Sequence, residues 1–154
     1  MFASEYRRPG ICDIQVVNVD ELFRADDFDG TLDRRADGLD ILYLGAHGEL
    51  RGSDFKLVLH SGEWYPAQGG LDLEGPRIVV FDACNLLDRN DPDWADPWLA
   101  QTRRRLRLVL GFASLATVSK GTALRGEEFA RRVARGDPVA RAWLMAVRAT
   151  APAR

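Results

Sequence analysis

Hydrophobic and polar positions follow two different periods along this chain. Ile11–Val19 is β-branched and partly alternating, which predicts a strand. Leu39–Gly45, Arg77–Asp82 and Leu106–Ala113 are short, mostly apolar runs. Runs apolar on both faces are the pattern of buried parallel strands. A weaker segment, Phe55–His60, followed by Ser61-Gly62-Glu63-Trp64, predicts a short exposed strand and a turn. The helical period is clearest near the end. Phe129 and Val133 repeat at four-residue spacing, Glu127 and Glu128 open the segment, and Arg135-Gly136 closes it. Asp137 is expected as the N-cap and Pro138 as the first residue of a second helix, with Val139, Trp143 and Val147 on one stripe. A third helix is expected from Trp94 to about Arg105, and a short helix and loop over Asp20–Asp40. Strands separated by helices predict an α/β layered domain with a mainly parallel sheet.

Composition narrows the class. At 154 residues the chain fits one domain, 1–154, with residues 1–10 expected to be flexible. Its 46% hydrophobic and 29% charged residues are globular values, which excludes a disordered tail protein. A net charge of −2 gives no footing for a nucleic-acid partner. The first ten residues hold no apolar stretch of signal-peptide length, and Leu106–Val118, interrupted by Arg107, Gly111 and Ser114, is too short to span a bilayer. The expectation is a cytoplasmic protein with no membrane partner, whose two cysteines, Cys12 and Cys84, stay reduced.

In open α/β sheets, ligands and catalytic groups gather at the carboxyl ends of the strands. Two of the buried strands end in reactive residues. One runs into Gly45-Ala46-His47-Gly48, the other into Asp82-Ala83-Cys84-Asn85. If these strands are parallel neighbours, His47 and Cys84 emerge on the same sheet edge. An imidazole there can activate a thiol or protonate a leaving group. Gly48, lacking a Cβ, lets a substrate approach closely, so that its N–H and that of Cys84 form an oxyanion hole. A single cysteine at a strand end is more often core than nucleophile, and only the pairing of both residues lifts the reading above that base.

A strand leading into His-Gly, followed by one leading into Ala-Cys, resembles the caspase, gingipain, legumain and separase clan of cysteine peptidases. Ile41–Gly48 and Ile78–Cys84 carry the resemblance, which covers about residues 11 to 147, with Leu108–Ala113 as the next strand, as in bacterial caspase-like proteins. The resemblance implies a three-layer α/β/α sandwich and a His47–Cys84 dyad without an obligatory third member. It also implies a peptide or protein substrate and a reaction that calls for no metal or organic cofactor. Two departures stand out. Asn85-Leu86 follows the cysteine, and the dyad is 37 residues apart, where caspases have about 50.

Other signals compete. Asp27-Phe28-Asp29-Gly30-Thr31 matches the motif of haloacid-dehalogenase-type phosphatases, yet the residues before it are polar and helical, where that chemistry needs a hydrophobic strand. Asp88, Asp91, Asp93 and Asp96 follow Cys84 closely without EF-hand spacing. They are expected in a solvated loop, or lining a pocket for a basic substrate residue. His60 has no neighbouring ligand for a zinc site, and Cys12 reads as a buried apolar residue. Trp143 is expected in the core, whereas Trp94 and Trp98, four residues apart, are expected to flank the site. Arg103-Arg104-Arg105 suits a helix C-terminus better than a phosphate site. The leading expectation is a cysteine hydrolase. A non-catalytic caspase-like binding or regulatory module is second, and the phosphatase third.

Overall fold

The computed structural model describes residues 39–51, 54–59, 62–64, 76–85, 87, 106–116 and 124–152. They form a mixed α/β protein with six strands and two helices, and fall in two compact units, 39–116 and 124–152. The expected strand at 11–19, the helix at 94–105 and the segment Asp20–Gly38 lie outside the described residues.

The first unit holds two sheets of three strands each. In one, β1 (Ile41–Gly45), β5 (Ile78–Asp82) and β6 (Leu108–Leu110) run parallel, with β5 in the middle. Three consecutive side chains of β5, Val79, Val80 and Phe81, are almost wholly buried. Because neighbours in a strand point to opposite faces, β5 is covered on both sides, as its unbroken apolar run requires. Leu42 and Leu44 of β1 are buried with it, on the face that Val79 and Phe81 share. Short backbone bonds fix the entry to the sheet: the N–H groups of Arg77 and Ile78 both donate to Asp40 O, at 3.1 and 3.2 Å.

The second sheet is antiparallel and was not legible in the apolar runs. It consists of β2 (His47–Arg51), β3 (Asp54–Leu59) and β4 (Gly62–Trp64), placed in the chain between β1 and β5. Half of the described strands are therefore antiparallel, where a mainly parallel sheet was expected. The strand expected at Phe55–His60 is present as β3, but it is not exposed: Lys56 and Leu57 are both buried, at 4% and 1% exposure. Lys56 makes this possible by pairing with Glu49, directly across the ladder, at 3.0 Å. A buried ammonium requires such a partner.

The second unit is a helical hairpin of α1 (Arg125–Ala134) and α2 (Val139–Thr150). Phe129 of α1 and Trp143 of α2 are buried and meet edge to face, with ring centroids 6.2 Å apart at 83°. Of the expected stripe only Trp143 is buried. Ala142, Ala146 and Thr150 take the other inward positions, and these small residues let the helices approach. The expected stop at Arg135-Gly136 is present. Gly136 has φ +90°, its N–H donates to Val133 O at 2.9 Å, and the Asp137 N–H reaches Arg132 O at 3.1 Å. These two bonds satisfy the last carbonyls of α1 in a Schellman arrangement. Asp137 does not cap α2. Pro138 occupies the N-cap, and its carbonyl accepts from Ala142 N–H, while the Asp137 carboxylate lies 3.5 Å from Arg132 Nη1.

Candidate functional site

The parallel ladder between β1 and β5 sets the site. Its last pair is Gly45 with Asp82, and the Ala46 N–H still donates to Asp82 O at 3.3 Å. His47 and Cys84 each stand two residues beyond that pair, at the same end of the sheet. The juxtaposition continues into direct backbone contact. A Cβ on Gly48 would overlap the Cys84 carbonyl oxygen and lie 2.8 Å from the Cys84 nitrogen. Only glycine permits this approach. The Cys84 backbone thus lies against the Gly48 Cα, on the side a Cβ would occupy.

Beyond Cys84 the chain turns back. Asn85 has φ +56°, a left-handed conformation that asparagine tolerates better than most residues. Asn85 N–H then donates to Ser114 O and Leu87 N–H to Phe112 O, both at 3.0 Å. The order of these bonds is reversed relative to the parallel β5–β6 ladder, so Cys84 sits at the tip of a tight reversal. Its thiol is partly exposed and accepts a hydrogen bond from Ala116 N–H at 3.2 Å, while the Ala116 carbonyl lies 3.8 Å away as a weak acceptor. The His47 side chain is exposed. Among the described residues, no hydrogen bond joins its imidazole to the Cys84 sulfur.

Two neighbouring interactions escaped sequence reasoning. Tyr43 Oη donates to Asp82 Oδ2 at 2.8 Å, linking β1 to β5 two residues before Cys84. Tyr43 and Asp82 share a face in this register, but neither residue announces the other in the sequence. The Glu49–Lys56 pair joins β2, the strand that His47 opens, to β3. The signal available was that Lys56 is one of only two lysines in an arginine-rich chain.

Elsewhere, a cavity of about 220 Å³ in the helical hairpin is lined by Leu124, Glu127, Glu128, Arg131, Ala149 and Thr150. Its charges are already matched. Glu128 accepts from Arg131 Nε at 2.9 Å and from Arg132 Nε at 2.7 Å, and the bond from Arg131 holds its carboxyl below the usual value of 4.5, helped by Arg132 and opposed by burial. Among the described residues there is no cluster of three metal-ligating side chains, and no helix is long and apolar enough to cross a membrane. Asp88, Asp91, Asp93 and Asp96 lie outside the described residues, as do Asp27, Asp29, Cys12, His60, Trp94, Trp98 and Arg103–Arg105.

No curated protein and no solved structure matches the chain. A family model does match, over residues 17–154, and its description is a domain of unknown function. The chain belongs to that family, DUF6345.

Proposed function

We propose that this protein is a cysteine-dependent hydrolase that cleaves a peptide or amide bond in a peptide or protein substrate, within a three-layer α/β/α caspase-like domain. The observation that carries the reading is the register Gly45 to Asp82 with its continuation, the backbone contact between Gly48 and Cys84. Two segments 37 residues apart are brought together at the one end of a parallel sheet where catalytic groups collect.

The chemistry follows from the residue types. The Cys84 sulfur, as thiolate, adds to the carbonyl carbon, and the N–H groups of Gly48 and Cys84 receive the oxyanion. His47, as imidazolium, gives its proton to the departing nitrogen as the C–N bond breaks, leaving a thioester on Cys84. Water then adds to the thioester while His47 takes up a proton, and the acid leaves as the thiolate returns. His47 need not touch the sulfur at rest, since catalytic contacts in unliganded sites are often long and tighten around the substrate.

One observation favours a second reading, a non-catalytic binding or regulatory module: the sulfur is bonded to Ala116 and not to His47 among the described residues. Turnover separates the two. In a fluorogenic peptide panel, cleavage falls by several orders of magnitude in Cys84→Ala and comparably in His47→Ala, because groups acting as a unit do not add. Cys84→Ala changes stability by no more than about 1–2 kcal/mol. Iodoacetamide labels Cys84 well before Cys12, since thiolate character and access set the rate. Undiminished cleavage in either variant, or equal slow labelling of both thiols, removes the hydrolase reading. Within the panel, Asp88, Asp91, Asp93 or Asp96 at the specificity pocket gives roughly 10–100-fold preference for a basic residue. A preference for aspartate refutes that pocket and leaves the dyad standing.

A further inference from the structure

The sulfur of Cys84 is held from a direction that the dyad does not explain. Ala116 N–H donates to it at 3.2 Å, from a segment 32 residues later in the chain. The placement of that N–H is over-determined. Asn85 bonds to Ser114 and Leu87 to Phe112, so the limb that returns from the reversal is stitched to the same segment that ends in Ala116. The left-handed turn at Asn85 leaves Cys84 at the tip, beside Ala116 and just beyond the Asn85–Ser114 rung of backbone pairing. A backbone donor fixed in this way aims a dipole at sulfur without ordering a side chain, which is the economy of an oxyanion hole applied to the nucleophile.

The geometry points to the Ala116 amide as the positioning donor of the site: it fixes the direction of Cys84 Sγ at rest and keeps a hydrogen bond on the sulfur while that atom carries negative charge. The inference rests on the reading of Cys84 as the nucleophile, and it adds the segment 112–116 to the machinery. Ala116 acts through the sulfur and touches no substrate.

The test uses the full chain labelled with nitrogen-15, followed by NMR before and after alkylation of Cys84 with iodoacetamide, and in Cys84→Ala. The expected result is that the Ala116 amide proton moves upfield in both, and that its hydrogen exchange speeds up about tenfold, the weight of one hydrogen bond. An Ala116 amide indifferent to both changes overturns the inference. A second arm compares Ala116→Pro, which has no N–H, with Ala116→Gly, which keeps it. Labelling of Cys84 slows by about tenfold or more in the proline variant, as expected on losing a hydrogen bond to a charged group, and stays within about twofold of wild type in the glycine variant. Equal rates in the two variants also overturn it, and the NMR arm decides alone if Ala116→Pro does not fold. Failure of the inference and failure of the hydrolase reading are distinguishable. Peptide cleavage with an unresponsive Ala116 amide sinks only the positioning role, whereas a responsive amide without any cleavage sinks the hydrolase and reduces Ala116 to a structural donor to the sulfur.

Discussion

The helical hairpin and the sheet unit are held together over very different distances along the chain. In the hairpin, Glu128 reaches Arg131 and Arg132 three and four residues away, Arg132 reaches Asp137 five away, and a buried side-chain bond between the two helices, Arg125 Nε to Thr150 Oγ1, spans 25. Around the candidate site the spans are 39 for Tyr43–Asp82 and 32 for Cys84–Ala116. Local contacts close small loops at little entropic cost, whereas the site exists only once distant strands have paired. The hairpin depends on its buried aromatic pair. The site depends on register.

Substitutions that attack each region in its own terms break or sharpen this contrast. The largest effect is expected for Trp143→Ala, which removes the buried ring facing Phe129 and costs about 3–5 kcal/mol in urea unfolding. A loss below about 1 kcal/mol would mean that the aromatic pair does not anchor the hairpin. Gly48→Ala comes next. Its methyl group must displace the Cys84 backbone, at a cost of about 1–3 kcal/mol, and Cys84 labelling should change with it. Unchanged stability and labelling together would deny the contact. Tyr43→Phe removes one donor from Asp82 and should cost about 0.5–1.5 kcal/mol in the same assay.

The smallest effect belongs to Glu128→Gln, which weakens two helix pairs worth about 0.2–0.5 kcal/mol each. Its pH dependence is distinctive. Because the native carboxyl titrates below its ordinary 4.5, the stabilisation is complete above about that pH and fades as pH falls through the lower native value. The wild type should therefore lose more stability than the variant between pH 5 and the acid limb, by roughly the value of those pairs. Parallel curves for the two proteins would remove Glu128 from the account of the hairpin.

The same contrast explains what could be read in advance. The strands β1 and β5 were visible as apolar runs, and their parallel pairing brought His47 and Cys84 to one edge, as their positions at the run ends suggested. The end of α1 at Arg135-Gly136 was written in residue type, because a left-handed cap selects glycine. Of the antiparallel sheet only β3 was visible, as the segment Phe55–His60. His47-Gly48-Glu49-Leu50-Arg51 has no β-branched residue, and its burial partner Lys56 looks like a surface residue until Glu49 is placed across from it. Pro138 displaced Asp137 from the cap of α2 because Asp137 already serves the end of α1, through its N–H and its contact with Arg132. The Ala116 donor could not be foreseen at all, since a main-chain N–H leaves no mark on the identity of its residue.

The glycine pressed against Cys84 separates two kinds of inheritance. Gly48 answers to the meeting of two backbones, which every folded descendant must preserve whether or not it turns over a substrate. The thiol and the imidazole could be lost without disturbing that contact, whereas any side chain at position 48 would force the strand ends apart. Among sister sequences, glycine at 48 should therefore persist as a record of architecture. If the proposed hydrolase reading holds, histidine at 47 together with cysteine at 84 should persist only where selection for that reaction has continued, and glycine at 48 without them would mark members that have lost it.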